Sequence, residues 1–437
     1  GQYVSLPGSV YNIPAFHLEI QAVLTNTVPI GVTRGPGFAE MIDVMERLID
    51  KAAQVTPFDR WTLRRQNFVV AAAMPWTNPS QTTVDSGDFL ACFERAVARS
   101  GASTFAQRQR ESESRGRRRG LGLAYHIKGT GGSPEENVEF SFTDDALVFT
   151  TGTQAIGQGH ETSFRQIAST LFGLSPDEIV YRAGDTDLIP TGGGHGSSRA
   201  TYMASTAMSR AAHKILLKAR PIAAEMLDAT VEDVEFSEGF YRARQHNRAV
   251  GLLEVARQAR ALKQPLDTYE HFVRDAMTYP NGCHVAEVEV DPQTGATTLL
   301  RYTAVDDYGT IVNPMIAHGQ VHGAIAQGIG QALMEHAHYD DATGQLVAGS
   351  FMDYSLPRAD DLPAFDVELL NTPCTTNPLG VKGCGEAGAI AGFPAIANAI
   401  VNALEGDGVT SFSGPATPYR VWSALRDAKV QVNKREL

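Results

Sequence analysis

Glu386 is the carboxylate of the glycine-rich run GVKGCGEAG, residues 380–388, where its neighbours are small or apolar. The glycines let the backbone turn sharply and approach another group closely. A poorly hydrated carboxylate has a raised pKa, which suits a general base. Residues 395–404 also predict a buried helix with Pro394 in its first turn, and a helix N-terminus favours a negative charge. Catalysis and helix capping both remain open for Glu386 on this local pattern.

Three further glycine-rich turns carry embedded polar side chains. They are GVTRGPG at 31–37, AIGQGHET at 155–162 and TGGGHGSSRAT at 191–201. None of the turns has the GxxxxGK[ST] pattern of a P-loop, and no βαβ series surrounds them as in a dinucleotide-binding fold. Such turns expose backbone N–H groups and hydroxyls, which together suit a large anionic ligand.

The HGSSRAT stretch is the richest of these turns in hydrogen-bond donors. Ser197, Ser198, Arg199 and the successive backbone amides would hold a phosphate or pyrophosphate well. A polar surface loop uses the same residue types, so that alternative stays open. Gln158, between two glycines, and Gln320 can each present an amide to a heterocycle, although either residue alone is equally compatible with a structural role.

Length, composition and net charge indicate which class of protein the sequence encodes. The composition, 43% hydrophobic and 20% charged, predicts a globular protein, and the length of 437 residues predicts two domains, or one domain plus a fragment. The formal net charge of −12 argues against nucleic-acid binding. A basic run at 108–120 is interrupted by glutamate and serine, so we interpret it as a solvated loop or linker.

The spacing of the cysteines and the hydropathy of the sequence indicate the cellular compartment of the protein. The four cysteines form no CxxC pair, so this chain alone builds neither a zinc site nor an iron–sulfur cluster. Reduced thiols in a cytoplasmic protein are the expected state. No membrane-spanning run or signal peptide is visible, and no membrane partner is predicted. Because the sequence opens without methionine in strand-like residues, a processed or split polypeptide is expected.

Hydrophobic periodicity predicts an α+β fold in two lobes. Residues 17–26 alternate like a half-buried strand. The pattern at 39–54 predicts a helix, with an apolar face formed by Met41, Met45, Leu48 and Ala52. Hairpins are predicted around Asp144-Asp145 and at 292–295, and helices after the 155–162 turn and at 315–338. The polar stretch 101–119 is the predicted linker between domains 1–100 and 120–437.

Ten stretches in a fixed order resemble the molybdenum-binding subunit of the xanthine dehydrogenase, aldehyde oxidase and carbon monoxide dehydrogenase-like family. Besides the glycine-rich turns they include RRQNF, DSGDF, AGDTD, AEVEVDPQTG, FMDYSLPRADDLP and VNPMIAHGQVHGAIAQGIGQALMEH. The resemblance covers nearly the whole chain. It implies that residues 1–100 are the C-terminal part of a first molybdopterin-binding domain and that residues 120–437 are a second.

The resemblance also implies roles for individual residues. Glu386 would be the active-site base beside molybdenum, which the pterin would hold without a direct protein ligand. Residues bordering the substrate would be Pro36, Tyr125 and His126. Residues contacting the pterin and its phosphate or nucleotide would be Arg34, Gly157, Gln158, Gly159, His195, Gly196, Ser197, Ser198, Arg199 and Gln320.

The implied reaction is hydroxylation of an aldehyde or N-heteroaromatic carbon with water as the oxygen source. The cofactor would be molybdenum-molybdopterin, in the cytosine dinucleotide form, with [2Fe–2S] centres and FAD on partner subunits. The family's GGxFG loop is missing here, so that half of the site is expected on another polypeptide, on a further part of the same polypeptide, or is lost. A partner chain that carries it is the predicted arrangement. The alternative is a cofactor-free structural subunit of such a complex. A nicotinamide-dependent dehydrogenase is excluded by the missing Rossmann pattern.

Overall fold

A computed structural model describes residues 2–244 and 247–435. Its α-helices are α1 Phe38–Val55, α2 Arg60–Asn67, α3 Phe89–Ser100, α4 Phe105–Glu113, α5 His160–Phe172, α6 Ala200–Leu227, α7 Leu252–Ala261, α8 Pro314–Leu333, α9 Ala387–Leu404 and α10 Pro418–Arg435. Its strands are β1 Trp76–Thr77, β2 Thr83–Val84, β3 Arg118–Ile127, β4 Glu135–Phe142, β5 Leu147–Thr151, β6 Ile179–Ala183, β7 Val234–Ser237, β8 Phe240–Ala243, β9 Ala249–Gly251, β10 Thr268–Val273, β11 Asn281–Val290, β12 Thr297–Asp307 and β13 Phe365–Leu370.

A four-stranded sheet with the order β13-β12-β11-β3 forms the centre of one lobe. β3, β11 and β12 are antiparallel neighbours, and β13 runs parallel to β12. Helices α8 and α9 cover one face of this sheet, and α1 and α3 cover the other. Because both faces are covered, β3 and β11 consist almost entirely of buried residues.

Glycines in β3 allow α9 to lie directly on the sheet. A Cβ atom on Gly122 would stand only 2.1 Å from the backbone nitrogen of Ala399 in α9. No side chain fits at that separation, so the close contact of strand and helix depends on glycine here. This contact holds α9 against the sheet, and Glu386 is the residue directly before that helix.

The second lobe is built on a sheet with the order β10-β4-β5-β6. Helices α5 and α6 pack their apolar faces against it, and α7 packs on α6 in the same hydrophobic core, which is separate from that of the first lobe. A three-stranded sheet, β7-β8-β9, lies beside the same core. The predicted α+β, two-lobed architecture is confirmed.

Most of the predicted hairpins and helices are present. β4 and β5 form the hairpin around Asp144-Asp145, and β11 and β12 form the one that turns at 292–295. α5 follows its glycine turn and ends at Gly173, which has a φ of 62°. α8 ends at Leu333, a few residues earlier than predicted.

The predicted strand at 17–26 is wrong. These residues have no assigned secondary structure and form no bridge to a described strand, and their side chains are exposed. An alternating pattern reports which side chains suit burial, but a strand also needs a neighbour that completes its backbone hydrogen bonds. The described residues provide no such neighbour for 17–26.

The apolar face predicted for α1 is also incorrect in detail. Leu48 is exposed, whereas Glu46 and Asp50 are buried. Arg64 of α2 accounts for this, because its guanidinium bonds Glu46 Oε2 at 2.9 Å and Asp50 Oδ1 at 2.7 Å. Pairing offsets much of the cost of burying the two carboxylates. A prediction from the apolar pattern alone places such carboxylates at the surface.

The stretch 101–119 is not a loop, which corrects the predicted linker. It contains α4 and the first residues of β3, and its arginines bind glutamates of β11. Arg108 Nη2 lies 2.7 Å from Glu287 Oε2, and Arg115 Nη2 lies 2.6 Å from Glu289 Oε2. The basic run therefore neutralises an acidic strand. The division into domains at this point stays a prediction.

Helix α9 begins at Ala387, eight residues before the predicted start, so Pro394 lies inside the helix and not in its first turn. By length and apolar composition alone, residues 387–407 would be long enough to cross a membrane. However, 89% of their most apolar window is buried inside the protein. The apolar character of α9 is thus explained by its position in the core.

Candidate functional site

A cavity of about 1110 Å³ lies where the two lobes meet. Its walls come mainly from the segments 32–38, 156–163, 193–201, 308–323 and 381–386. These segments include the four glycine-rich turns, which are far apart in the chain. The volume exceeds the roughly 300–1,000 Å³ of typical small-molecule pockets, so it suits a large ligand.

Glu386 lies at the inner wall of this cavity, directly before α9, and is 8% exposed. Its side chain makes no capping bond to its own helix. Oε2 instead accepts from Ser198 Oγ at 2.7 Å and pairs with Lys128 Nζ at 2.7 Å, and Oε1 accepts from Gly35 N at 3.0 Å. The capping interpretation is therefore wrong for the side chain, which joins three distant segments.

The expected rise in the pKa of Glu386 is also corrected. Burial acts to raise the pKa, but the charge of Lys128 and hydrogen bonds from Lys128, Ser198 and Gly35 outweigh it. The pKa of Glu386 therefore lies below its ordinary value. The carboxylate is ionised at neutral pH and can accept a proton.

Close backbone contact brings the 191–201 and 380–388 turns together. A Cβ atom on Gly383 would lie 2.2 Å from the carbonyl oxygen of Ser198, which excludes any larger residue. Ser197 and Ser198 have φ angles of 64° and 58°, a left-handed conformation that is uncommon for serine. Such backbone persists where surrounding contacts enforce it, and it turns the Ser198 hydroxyl to Glu386.

Arg34 connects the first glycine-rich turn to the same wall. Its Nη2 atom donates to the backbone oxygen of Gln320 at 3.1 Å and to Gln320 Oε1 at 3.0 Å. Its Nε atom donates to the backbone oxygen of Gly385. Arg34, Pro36 and Gln320 all line the cavity. Their predicted contacts with cofactor or substrate stay predictions, but their placement agrees with them.

The glycine-rich turn at 155–162 contributes only some of its residues to the cavity wall. Gly157 and Gln158 line the cavity, and the Oε1 atom of Gln158 accepts from Ile156 N at 2.6 Å. Space at Gly157 is open, because a Cβ atom there would meet nothing within 4 Å. Gly159 instead precedes α5 and packs against Ile316, where a Cβ atom would lie 2.8 Å from Cδ1. Gly157 and Gln158 therefore remain the predicted cofactor contacts of this turn.

Residues 195–199 form the loop that is predicted to bind a phosphate. Four of these five residues line the cavity, namely His195, Gly196, Ser197 and Ser198. Arg199 does not, and its role is corrected. Its guanidinium is fully buried, and Nη1 donates to Glu136 Oε2 at 2.9 Å and to the backbone oxygen of Gly194 at 2.6 Å. With its donors used inside the protein, Arg199 anchors the loop and does not present a charge to a ligand.

Tyr125 and His126 do not border the cavity, which corrects their predicted role at the substrate. Both are fully buried on opposite faces of β3. The Tyr125 hydroxyl donates to Asn281 Oδ1 at 2.9 Å. His126 Nε2 lies 2.9 Å from Asp306 Oδ1. Both side chains are part of the core beneath the site.

His126, His284 and Asp306 form a compact buried group of metal-ligating type. Asp306 Oδ1 lies 2.9 Å from an Nε2 atom of each histidine, and Asp306 Oδ2 accepts from the Tyr308 hydroxyl at 2.8 Å. Burial opposes the charge of Asp306, but the two imidazoles hold its pKa below the ordinary range. These distances are those of hydrogen bonds, so the group is a polar network within the core.

Two histidines of the second lobe, His160 and His195, line the cavity and contain buried ring nitrogens. Within the described residues, Nδ1 of His160 and Nδ1 of His195 are buried and have no hydrogen-bond partner. Burial, and then the neighbouring His195, lower the pKa of His160 to about 4, so its imidazole is neutral at pH 7. Buried polar atoms of this kind need a partner. The donor-rich walls and the open glycines of the cavity fit a large, polar, anionic ligand such as a pterin phosphate.

Lys128 is the site residue that the sequence analysis missed. It follows β3 directly, is 1% exposed and pairs with Glu386 inside the cavity wall. A lysine is normally interpreted as a solvated surface residue. The available signal was its position, because it stands between the apolar strand LGLAYHI and the turn GTGG. A lysine that ends a buried strand has to be paired.

Comparison with known protein families finds matches to molybdopterin-binding domains. Two family models match, both described as the molybdopterin cofactor-binding domain. One covers residues 95–363, which is more than half of the chain, and the other covers residues 2–68. The matched regions contain three of the four glycine-rich turns of the cavity.

Individual relatives agree with this match. The chain is 34% identical over 94% of its length to the 6-hydroxypseudooxynicotine dehydrogenase complex subunit gamma of Paenarthrobacter nicotinovorans, covering 54% of that protein. It is 30% identical over 95% of its length to the carbon monoxide dehydrogenase large chain of Hydrogenophaga pseudoflava, covering 55%. The crystal structure of quinoline 2-oxidoreductase from Pseudomonas putida 86 matches 98% of this chain and 57% of that one, with 31% identity and a TM-score of 0.91. The chain thus spans about half the length of the curated relatives it matches.

Proposed function

Because the chain belongs to the molybdopterin cofactor-binding family of molybdenum hydroxylase large subunits, we propose that it is the cofactor-bearing part of a molybdenum hydroxylase. The proposed reaction is hydroxylation of an aldehyde or N-heteroaromatic carbon with water as the oxygen source. The observation that carries the proposal is Glu386, an ionised carboxylate at the wall of a large donor-lined cavity. Nothing in a purely structural subunit requires a buried carboxylate to be kept ionised beside a cavity.

The cavity offers two sets of contacts to a molybdenum-molybdopterin cofactor. Arg34, Gln158 and Gln320 would contact the pterin, and the backbone amides of residues 195–198 would bind its phosphate end. When bound, the cofactor supplies the two-electron redox chemistry that no amino-acid side chain provides. The protein supplies binding, orientation and a base.

Glu386 is suited to accept the proton that hydroxylation releases. Its Oε2 atom is engaged by Lys128 and Ser198, whereas Oε1 accepts one described hydrogen bond, from Gly35 N. Each carboxylate oxygen can accept about two hydrogen bonds, so Oε1 has capacity for the transferred proton. A proton on Oε1 leaves the Lys128 charge uncompensated, and that imbalance favours release of the proton after turnover.

Molybdenum content tests this proposal directly. We expect the purified complex to contain about one molybdenum per chain, with the cofactor's phosphate, since the predicted contacts define one cofactor site. Metal analysis of the intact complex is the measurement, and acid hydrolysis of the same sample should release a cytidine nucleotide if the cofactor has the proposed dinucleotide form. A plain phosphate tail would correct only the cofactor form. A carefully prepared complex without molybdenum or pterin would support the cofactor-free structural subunit instead.

The proposed oxidation of the substrate requires partner chains that accept electrons. The electrons taken from the substrate need an acceptor, and the sequence has no cysteine pattern for an iron–sulfur cluster. We therefore propose partner subunits that carry [2Fe–2S] centres and FAD, and a chain that supplies the GGxFG half of the molybdenum site. The four free thiols are compatible with assembly in the cytoplasm.

An exposed apolar segment marks where the chain that supplies the other half would bind. Between residues 16 and 32, six large apolar side chains are more than half exposed: Ile20, Val23, Leu24, Val28, Ile30 and Val32. The segment forms no bridge to a described strand, and Val28 N donates to the Tyr339 hydroxyl at 3.1 Å, so its other backbone N–H and C=O groups are available for strand pairing. We propose that a strand of the GGxFG-bearing chain pairs with it.

Hydrogen exchange can locate this contact. On assembly with the complementary chain, amide exchange in residues 16–32 should slow by about tenfold or more, because unpaired amides become hydrogen-bonded. The exposed turn at 143–146 is the internal control and should exchange at the same rate in both states. Unchanged exchange at 16–32 in a stable assembled complex would place the partner elsewhere.

A further inference from the structure

Lys128 has an unusually complete set of contacts for a lysine. Its Nζ atom lies 2.7 Å from Glu386 Oε2 and donates to the Ser197 backbone oxygen at 2.9 Å and to the Gly129 backbone oxygen at 3.1 Å. A further contact joins it to Ser197 Oγ at 3.1 Å. The ring of Phe38 lies on another side, 5.6 Å from Nζ to the ring centroid. An ammonium has three protons, so these oxygens use them fully.

These contacts make Lys128 the link between two walls of the site. One carbonyl partner, Ser197, belongs to the left-handed serine turn, and the carboxylate partner, Glu386, directly precedes α9. The backbone of Lys128 is itself fixed, since its N–H donates to the oxygen of Pro280 at 3.0 Å. The ammonium is therefore held at a defined position and cannot swing into solvent.

We propose that Lys128 is a positioning residue that keeps Glu386 in its carboxylate form and fixes the direction of its Oε2 atom. The proposal deepens the proposed function, on which its consequence for turnover rests. The ion pair itself does not depend on that function. A carboxylate buried without a countercharge would take up a proton and lose its capacity as a base.

The other ionisable groups near Glu386 do not replace Lys128. Arg34 interacts with the Glu386 charge, but its guanidinium donates to Gln320 and Gly385. Cys384 and Tyr308 lie beside Arg34 at the same wall. Burial raises the pKa of Cys384 to about 11 and holds that of Tyr308 well above its usual value, so both are neutral near pH 7. Lys128 is thus the cation that pairs with the base.

The direction of the pH effect follows from these contacts. The pKa of Glu386 is lowered, so the ion pair stabilises the protein above the ordinary carboxyl range and is lost as the pH falls through the lowered pKa. Removing the ammonium leaves burial as the largest influence, and the pKa of Glu386 then rises. An adjacent cation typically lowers a carboxyl pKa by about 1–3 units, so a shift of about one pH unit or more is expected.

The test uses Lys128→Met and Lys128→Gln, which both remove the charge, and Lys128→Arg, which keeps it. Infrared spectroscopy of the assembled protein follows the carbonyl band of protonated Glu386, assigned by its loss in Glu386→Gln. The two neutral variants should raise the titration midpoint by about one pH unit or more, and the acid limb of the kcat/KM profile should move with it. Lys128→Arg should keep the midpoint low.

Lys382→Met is the matched control, because Lys382 is a buried lysine paired with a different carboxylate, Asp307, at 2.8 Å. It should lose stability without moving the midpoint of Glu386. An unchanged midpoint in folded Lys128→Met or Lys128→Gln would overturn the proposal. Should neither neutral variant fold, Lys128→Arg decides, and a raised midpoint there would count against the proposal. Because the infrared titration needs no molybdenum, it separates failure of this inference from failure of the proposed function.

Discussion

Replacing Glu386 with glutamine should lower turnover per molybdenum by about 10²–10⁴-fold, the usual contribution of general-base catalysis. The amide has the same size as the carboxylate, and its oxygen can still accept from Gly35 N, which bonds Oε1 at 3.0 Å. It cannot accept the transferred proton. Molybdenum content should stay at the wild-type level, because the predicted cofactor contacts lie on other segments of the cavity. Activity and metal are to be measured on the same preparation.

Ser198→Ala is the matched control for this substitution. It removes the 2.7 Å hydrogen bond to Glu386 Oε2 but leaves the base and its ion pair with Lys128. One hydrogen bond to a charged group is worth about 1.5–3 kcal/mol, which is roughly 10–150-fold in rate. The effect of Ser198→Ala on turnover should therefore not exceed the lower end of the range expected for Glu386→Gln. Near-normal turnover of fully loaded Glu386→Gln would remove Glu386 from the mechanism.

The sequence was sufficient to predict that the four glycine-rich turns form one site, because their order and wording resemble one family. The structure places all four around one cavity. What the sequence could not supply was the ionisation of Glu386. Local composition predicted a raised pKa, whereas the pKa is lowered by Lys128, which belongs to a distant segment. A pKa depends on all neighbouring charges in space, and a sequence window contains few of them.

The errors at Arg199 and Tyr125 have a related cause. Arg199 directly follows Ser198, which faces the cavity, yet the two side chains point in different directions. Tyr125 is close to Lys128 in the chain, but its ring lies in the core with Phe68 and Phe89. A motif identifies which segment borders a ligand. Which face of the segment turns to it depends on packing against other elements.

Helix α1 illustrates the same limit for the fold. Its periodicity was enough to predict a helix, yet its buried face includes Glu46 and Asp50. These carboxylates are buried because Arg64 of α2 lies between them. Pattern-based interpretation assigns charges to the surface and is right in most helices. Such an interpretation cannot predict ion pairs that form only after two helices pack together.

The corrected role of Arg199 leads to a prediction with a large effect on stability. Arg199→Met should destabilise the cofactor-free protein by roughly 3–5 kcal/mol, the cost of breaking a buried ion pair by removing one partner. Its partner Glu136 is fully buried and would be left without a countercharge. The loop would also lose its anchors, since Arg199 donates to the backbone oxygens of Gly194, Ser133 and Glu135. The free energy of unfolding from urea titration is the measurement.

Arg274→Met is the matched control, because the Arg274 guanidinium donates to the backbone oxygens of Gly131, Gly132 and Ser133 and has no buried carboxylate partner among the described residues. It should cost clearly less stability than Arg199→Met. Adding Glu136→Gln to Arg199→Met should recover part of the loss, since the unpaired charge is then removed. A different result is expected if Arg199 binds an anionic ligand. If Arg199→Met kept full stability without cofactor and only lowered cofactor occupancy, the guanidinium would serve the ligand, and the anchoring role would be wrong.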